Sequence, residues 1–510
     1  MTVKVPIRRL PTGVPGLDAV LGGGVPEFSF NLIAGTPGAG KTTLVQQIMF
    51  ALATPERPAL FFTVLGEPPL KMLRYQQQFE FFDLAKVEKS VRFVNLAKEA
   101  LDGGLDEVLK RIVQAVEATS PAVVVVDSFR SVIQAARDKQ GQPDLQRFIQ
   151  DLGMRMTGWQ ATTFLVGEFQ LADADNHPVF TVADGLVWLY QSVDRNSMVR
   201  KMNVMKLRGQ ASIPGLHTFR ITERGIQVFP RLIIGQTDTT GAGDTGKSKR
   251  RPPRLSVGVT RLDEMLGGGI PSGYSVLVAG PSGSGKSVLA MQFIREGIRR
   301  GEPGIIAVFE KQAGESAHAR ATELDQAVRS GQVVFVRTRP LDLSIDEMLY
   351  ELTEAIHRIK ARRIVIDSLS GFELALAPAF REDFRESLYR LVSTLTGMGL
   401  TVMMTAELED RYTDLRFSPH GTAFLTDAIV LQRYLEIDGQ LKRVMAVVKV
   451  RSSDHAKDLR SFEITDDGVV VGERIGDYQG LLTGSPHMAP SGRSLPAPRR
   501  GSRRRPKRNA

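Results

Sequence analysis

Two short stretches of the sequence place glycines, a lysine and a hydroxyl side chain at the same spacing. Both fit the pattern G-x-x-x-x-G-K-[S/T], whose glycines let the backbone wrap so that its N–H groups point at phosphate oxygens. The helix that begins at the lysine adds the positive end of its dipole. We therefore predict two phosphate-binding loops, which comprise Gly35, Thr36, Pro37, Gly38, Ala39, Gly40, Lys41, Thr42 and Thr43 in the first half, and Gly280, Pro281, Ser282, Gly283, Ser284, Gly285, Lys286, Ser287 and Val288 in the second.

Each loop ends in residues suited to a nucleoside triphosphate. We expect Lys41 and Lys286 to reach the β- and γ-phosphates of ATP, and Thr42 and Ser287 to offer a hydroxyl to Mg²⁺. A single match to this pattern can be a tight glycine turn. Here each match follows a predicted strand, opens a predicted helix and occurs twice. ATP and Mg²⁺ are therefore the predicted ligands.

Acidic residues stand at the ends of later apolar strands. Asp127 and Asp367 each end a strand and precede a serine. Ligands bind at the carboxyl edge of a parallel sheet, which suits an acid that holds the Mg²⁺ shell. A helix N-cap is the alternative, because Asp and Ser both cap helices. Glu168 and Glu407 follow the next strand of each half, where a γ-phosphate sensor or a surface ion pair would stand.

Hydrolysis also needs a carboxylate that orients or deprotonates the attacking water. The predicted strand 305–309 is followed directly by Glu310, whereas the matching stretch 60–65 of the first half is followed by Gly66 and then by Glu67. We predict catalytic roles for Glu310 and Glu67 beside Lys41 and Lys286. Either glutamate could instead be an ordinary surface residue.

Two basic pairs recur near the end of each half. Lys206 and Arg208 lie two apart on a predicted strand, so both point to one face, and Lys449 and Arg451 repeat the arrangement. Such a pair could enter the nucleotide site of a neighbouring subunit as an arginine finger, worth roughly 10³–10⁵ in rate. The alternative is an edge strand protected by charges. A finger from a neighbour requires a ring, so the pairs predict an oligomer.

These motifs recur because the chain contains two copies of one unit. Lys41 and Lys286 lie 245 positions apart, and the strand ending at Asp127 recurs 240 positions later. Landmarks in one order with small drift indicate a duplication. We predict a first domain at 1–235, a polar linker at 236–254, a second domain at 255–480, and a Pro-, Ser- and Arg-rich tail at 481–510 that should be disordered.

Within each unit, short β-branched strands alternate with amphipathic helices. In the first unit we expect strands at 29–34, 59–64, 91–95, 122–127 and 162–166, and helices at 41–53 and 105–119. This alternation predicts an α/β fold with a mostly parallel sheet and helices on both faces. The closing segments 201–207 and 217–229 are expected to add antiparallel strands. The fold class is thus two tandem RecA-like P-loop NTPase domains.

Composition narrows the function classes. The chain has no cysteine, which excludes disulfides and Cys-ligated zinc, and no stretch approaches the ~20 apolar residues of a membrane helix. We expect a cytoplasmic protein without a membrane partner. The net charge is +10, but 489–510 holds eight Arg and Lys residues and no acid, so the rest is close to neutral. A nucleic-acid partner would therefore rest on this tail, which lacks the aromatic residues that stack on bases.

The chain resembles the KaiC family of tandem RecA-like ATPases up to about position 471. The resemblance is carried by 258–273 with the loop that follows, by Thr426 to Val430, by 448–455, and by 206–209 through 226–230. It implies a homohexamer with ATP at subunit interfaces, slow ATP hydrolysis, and serine/threonine autokinase activity in the second domain. A regulatory protein partner and a role in signalling or circadian regulation are further expectations.

Departures from the family pattern concern the autokinase activity. The family's phosphate-accepting Ser-Thr pair falls at Ala423 and Phe424, and neither can accept phosphate. Thr422 and Thr426 lie nearby. In the first unit, Phe28 replaces the glycine seen at Gly273. We predict ATP binding and hydrolysis, with a serine/threonine kinase and a DNA-dependent recombinase or helicase motor as the alternatives.

Overall fold

Two α/β domains of the same architecture make up the described part of the chain. The structure is a computed structural model that describes residues 7–63, 69–102, 104–129, 142–171, 177–194, 197–231, 252–309, 322–337, 343–377, 381, 384–408, 425–437, 439–476, 478–479 and 487–488. Domain 1 denotes the described residues up to 231, and domain 2 those from 252 to 476. Most of the predicted linker and the basic tail lie outside these ranges.

Domain 1 contains eleven strands and seven α-helices among its described residues. The strands are β1 (Arg9–Leu10), β2 (Val25–Pro26), β3 (Phe30–Gly35), β4 (Ala59–Thr63), β5 (Val91–Asn95), β6 (Val123–Asp127), β7 (Thr162–Glu168), β8 (Gly185–Asp194), β9 (Ser197–Leu207), β10 (Leu216–Thr222) and β11 (Gly225–Phe229). The helices are α1 (Leu17–Leu21), α2 (Lys41–Leu52), α3 (Pro69–Gln76), α4 (Ala97–Asp102), α5 (Gly104–Thr119), α6 (Gln142–Gly158) and α7 (Pro178–Val182), with a 3₁₀ turn at Leu84–Lys86.

Domain 2 repeats this order, and a short hairpin follows it. Its strands are β12 (Arg254–Leu255), β13 (Ile270–Pro271), β14 (Ser275–Gly280), β15 (Gly304–Val308), β16 (Val333–Arg337), β17 (Arg363–Asp367), β18 (Thr401–Glu407), β19 (Ala428–Ile437), β20 (Gln440–Val450), β21 (Arg460–Thr465) and β22 (Gly468–Arg474). The helices are α8 (Thr260–Met265), α9 (Lys286–Arg299), α10 (Thr322–Arg329), α11 (Ile345–Ile359), α12 (Leu369–Ala375) and α13 (Phe384–Gly397). The hairpin pairs β23 (Tyr478–Gln479) with β24 (His487–Met488).

Each domain is built on a nine-stranded, mostly parallel sheet. The order in domain 1 is β11-β10-β9-β8-β3-β7-β6-β4-β5, and domain 2 has the same order in its own strands. The six strands from β8 to β5 are parallel, and β9 to β11 add antiparallel pairs. The predicted fold class is confirmed. The phosphate-loop strand β3 therefore lies two strands from β6, and their carboxyl ends meet at one edge.

Both faces of the sheet are covered, which explains why the central strands are apolar without interruption. On β4, Leu60 and Phe62 join one core cluster while Ala59 and Phe61 join the other. A strand buried on both faces needs apolar residues at every position. Helices pack on each side of the sheet, so the edge at the carboxyl ends of the strands, with its loops, stays open to ligands.

The closing segment 217–229 folds as the hairpin β10–β11 and packs on the helix that opens at Lys41. The Gln47 amide bridges helix and hairpin: its Nε2 donates to the Ile226 carbonyl at 3.2 Å, and its Oε1 accepts from the Ile226 N–H at 2.7 Å. The hairpin thus fixes α2 directly behind the loop.

The same hairpin contacts domain 2. Arg220 on β10 donates to both carboxylate oxygens of Glu347 on α11, with its Nη2 2.8 Å from Oε2. The rings of Phe229 and Tyr350 meet edge to face with centroids 5.7 Å apart. A forked ion pair and an aromatic contact therefore join the two domains.

Candidate nucleotide sites

The phosphate loops leave β3 and β14 and end at the first residues of α2 and α9. Gly38 and Gly40 have φ of 75° and 99°, and Gly283 and Gly285 repeat these with 73° and 99°. A Cβ on Gly40 would lie 2.7 Å from the Ile221 Cδ1, and one on Gly285 would meet the corresponding isoleucine of domain 2 at the same distance. Both space and backbone conformation require glycine here. The loops form the same cradle twice.

The lysine of each loop folds back onto its own backbone. The Lys41 Nζ donates to the Thr36 carbonyl at 2.8 Å, and the Lys286 Nζ donates to the Pro281 carbonyl at 2.7 Å. Burial lowers the pKa of Lys41, against the charges of Glu168 and Asp127, which raise it. Each ammonium is therefore held at its loop by a carbonyl, a partner that a phosphate oxygen could replace.

In domain 1 the predicted metal residues are in direct contact. Thr42 on α2 donates its hydroxyl hydrogen to the Asp127 Oδ2 at 2.6 Å. Burial raises the pKa of Asp127 to about 6, opposed by the Thr42 hydrogen bond and the Lys41 charge and increased by Glu168. A buried carboxyl without a full counter-charge is suited to a cation.

In domain 2 a different hydroxyl donates to the corresponding acid. Thr405 on β18 is fully buried and donates to the Asp367 Oδ1. The loop itself has a second polar contact, because Ser284 donates to the Gln432 Oε1 at 3.0 Å. The corresponding domain 1 positions hold Val166, Ala39 and Leu189. The two sites share their cradles but differ in the strands behind them.

The donor set fits a magnesium ion that arrives with its nucleotide. Threonine, serine and aspartate offer hard oxygen atoms, and Mg²⁺ in phosphate sites takes one or two carboxylates with phosphates and water. Within the described ranges, no three His, Cys, Asp or Glu side chains cluster as a metal cage would require. The protein therefore offers part of a shell, which a triphosphate would complete.

Glu168 ends β7, between the loop strand and the Asp127 strand. It stands in register with Gly35, and its charge acts on both Lys41 and Asp127. Glu407 occupies the same register position beside Gly280. Glu168 is therefore part of the electrostatic environment of the first site.

The two basic pairs lie at the opposite edge of each sheet. The Lys206 Nζ donates to the Thr181 carbonyl at 3.0 Å, and Arg208, one residue beyond β9, pairs with Asp184 at 3.0 Å. Asp184 also accepts from the Phe30 N–H at the amino end of β3.

Domain 2 repeats this anchoring of the basic pair. The Lys449 Nζ donates to the Thr426 carbonyl at 2.6 Å, and Arg451 pairs with Asp427 at 3.1 Å. The loop strand β3 has six residues and therefore spans roughly 20 Å at ~3.3 Å per residue. Each pair is thus a full strand length from the phosphate loop of its own domain.

A family model described as "ATPase: KaiC" matches residues 10–233 and again 255–475. This chain belongs to the KaiC ATPase family. It is 27% identical to the circadian clock oscillator protein KaiC of Picosynechococcus sp. over 501 residues, which cover 94% of this chain and 92% of that protein. It is also 27% identical to KaiC of Prochlorococcus marinus subsp. pastoris, covering 97% of both chains, and 26% identical to KaiC 1 of Synechocystis sp., covering 94% and 92%.

Several predicted residues of this KaiC-family chain lie outside the described ranges. They are Glu67 and Glu310, the two predicted water-activating acids, and the positions Thr422, Ala423 and Phe424. No described helix is long and apolar enough to cross a membrane.

The sequence motifs do not indicate the side chains that support the predicted site residues. Thr405 and Gln432 support the domain 2 site, and Asp184 and Asp427 pair with the arginines of the basic pairs. A position-by-position comparison of the two repeats shows that Thr405 replaces Val166 on the strand beside the predicted metal aspartate. Recognising its role, however, requires knowing that β18 lies next to β17.

Proposed function

We propose that this KaiC-family chain binds Mg-ATP at both phosphate loops and hydrolyses it. The observation that carries the proposal is the repeated glycine cradle with a lysine at its mouth and an aspartate at the end of the strand two positions away in the sheet. In domain 1 the loop hydroxyl of Thr42 is in direct contact with Asp127, which supports a shared magnesium shell there. ATP is the substrate, and Mg²⁺ supplies charge neutralisation on its phosphates when bound.

Each residue has a role in this proposal. Backbone N–H groups of the loops and the amino ends of α2 and α9 hold the phosphates. Lys41 and Lys286 exchange their loop carbonyls for phosphate oxygens. Thr42 with Asp127 holds the metal shell in domain 1, and Ser287 with Asp367 does so in domain 2. These contacts orient the triphosphate and exclude bulk water from its inner face.

Hydrolysis is proposed to be stronger in domain 2. Glu310 is the second residue after the end of β15, whereas Glu67 is the fourth residue after the end of β4. The strand pairing matches Thr63 with Val308, so Glu67 is displaced by two residues relative to Glu310, one more than the sequence register predicts. A water-activating carboxylate must lie within hydrogen-bond reach of the water, so a displaced acid is less effective. We assign the base of domain 2 to Glu310 on this ground.

We propose a homohexameric ring in which the pairs Lys206/Arg208 and Lys449/Arg451 complete the nucleotide sites of the adjacent subunit. The position of each pair at the sheet edge opposite its own loop supports this, because the pair is about 20 Å from that loop. In the separate chain, backbone carbonyls and Asp184 or Asp427 hold the pairs in place.

The relatives are named circadian clock oscillator proteins, and we propose a cytoplasmic timing or signalling role with a regulatory protein partner. Serine/threonine kinase activity is the less favoured alternative, because Ala423 and Phe424 cannot accept phosphate. Incubation with γ-labelled ATP tests it, and labelled protein would restore the autokinase. Strong stimulation of hydrolysis by single-stranded DNA would favour the DNA-motor alternative.

Variants Lys41→Ala and Lys286→Ala test the proposal directly. We expect Lys286→Ala to remove most of the ATPase rate and Lys41→Ala to remove less. Native mass measured on the same samples with ATP should show six subunits. An unchanged rate in Lys286→Ala would refute the assignment of Glu310, and an unchanged rate in the double variant would refute hydrolysis at these loops.

A further inference from the structure

In domain 2, Asp367 accepts a hydrogen bond from a residue outside the phosphate loop. Thr405 lies on β18, the strand beside β17, one position after the registered pair Ile366 and Met404. Its hydroxyl donates to the Asp367 Oδ1 and is wholly buried. Water therefore does not compete for this bond, and the second oxygen of the carboxylate stays available.

Domain 1 shows what the site is like without this threonine. The residue in register with Asp127 is Val166, which is the same shape as threonine but cannot donate. There the hydrogen bond to the acid comes from Thr42, on the helix that ends the phosphate loop. The position of Asp127 is thus tied to the loop, whereas that of Asp367 is tied to the sheet.

The loop of domain 2 is supported from the sheet as well. Ser284 donates to Gln432 on β19, and both side chains are fully buried. Domain 1 places Ala39 and Leu189 at these positions, so no such bond forms there. Two independent contacts therefore fix the parts of the domain 2 site to neighbouring strands.

We propose that Thr405 is a positioning residue for magnesium at domain 2, a site whose Mg-nucleotide binding is itself the proposed function. A hydrogen bond to one carboxylate oxygen fixes the rotation of the Asp367 side chain and directs the other oxygen toward the phosphate loop. Groups that orient a metal's ligands in this way are typically worth 10- to 100-fold in metal affinity. Domain 2 therefore binds the ion through an acid that is oriented before the nucleotide arrives.

The test is a magnesium titration of nucleotide binding in the full chain. A Lys41→Ala background weakens domain 1, so that the fluorescence of mant-ADP reports domain 2. We expect Thr405→Val to raise the Mg²⁺ concentration at half-maximal binding about 10- to 100-fold. The affinity for mant-ADP in EDTA should stay within about twofold, because the metal-free contacts of the loop are unchanged.

Two further variants separate positioning from folding. Thr405→Ser keeps the hydroxyl and should restore the magnesium midpoint. Thr401→Val removes a buried threonine hydroxyl from the other end of the same strand, where it accepts from the Gly273 N–H, and should leave the midpoint unchanged. Thermal unfolding of each variant shows whether domain 2 is intact.

The inference is overturned if Thr405→Val leaves the magnesium midpoint unchanged while the parent responds to Mg²⁺. It is also overturned if Thr405→Val lowers the affinity with and without metal by the same factor, since the threonine would then shape the whole loop. A parent that binds mant-ADP without any dependence on Mg²⁺, or not at all, refutes the proposed function of domain 2 instead.

Discussion

Replacing Arg363 with methionine should destabilise domain 2 and leave domain 1 unchanged. The guanidinium is fully buried at the start of β17. Its Nε donates to the Glu302 Oε2 at 2.7 Å, and its Nη1 donates to the carbonyls of Ser256 at 2.8 Å and Phe293 at 3.0 Å. It also lies over the Phe293 ring, 4.6 Å from the centroid. One side chain therefore joins three segments of domain 2.

The size of the loss follows from what the substitution leaves behind. Removing one partner of a buried ion pair costs about 3–5 kcal/mol, because the other charge loses its counter-ion. The Glu302 side chain is 22% exposed, so its carboxylate reaches water and the cost falls at the lower end, about 3 kcal/mol. In a domain of this size, each kcal/mol shifts the melting temperature by about 2–4 °C. We therefore expect a shift of roughly 6–12 °C for domain 2.

The tryptophans allow the domains to be followed separately. Trp159 and Trp188 are the two tryptophans of the chain and both lie in domain 1. Their fluorescence reports unfolding of domain 1, while far-UV circular dichroism reports both domains. We expect Arg363→Met to advance the dichroism transition and to leave the fluorescence transition in place.

Two companion variants make this result decisive. Arg261→Met removes an arginine that is 43% exposed and should change the free energy of unfolding by less than about 1 kcal/mol. Adding Glu302→Gln to Arg363→Met should recover part of the loss, because no unpaired charge remains. A domain 2 transition that moves less than about 2 °C would show that the buried pair contributes little, and the reasoning would fail.

Two other predictions concern domain 1. Gly40→Ala places a Cβ against Ile221 and holds an alanine at φ 99°, which costs about 1–2 kcal/mol. Titration with mant-ATP should therefore show nucleotide binding at domain 1 weakened about 5- to 30-fold, with binding at domain 2 unaffected. Equal weakening at both domains would contradict the assignment. His217 is buried as the neutral ring between the Ile213 carbonyl and the Arg231 N–H, and burial lowers its pKa. Its contribution to stability is therefore complete above about pH 6.5 and is lost as the pH falls toward the lowered pKa. Melting followed by tryptophan fluorescence should show that His217→Gln loses less stability below pH 6.5 than the parent does. Identical pH profiles of the two proteins would refute this role of His217.

The sequence was enough to predict the duplication, the fold class and the two cradles. A phosphate loop is a local object: its glycines, lysine and hydroxyl lie within nine consecutive residues, so spacing alone predicts their geometry. The contact between Thr42 and Asp127 was also predictable, because carboxyl ends of parallel strands meet at one edge.

The parts that sequence could not predict depend on strand order. Thr405 reaches Asp367 because β18 lies between β14 and β17, although it follows both in the chain. Arg363 is aligned with Val123 of the first repeat, and neither composition nor periodicity indicates that Glu302 lies beside it. The register of the repeat indicates where the two domains differ, and only the packing shows what each difference does.

In the proposed ring, the basic pairs determine how many nucleotide sites of an assembly are complete. A subunit carries its phosphate loops on one edge of each sheet and its basic pairs on the other, so subunits that complete one another's sites must associate head to tail. An open row of such subunits always leaves one terminal subunit with unfinished loops and the other with unused pairs. Closing the row joins these two ends and completes every site at once. Full activity would therefore begin only when the last subunit closes the ring, so the activity would depend on the number of subunits assembled.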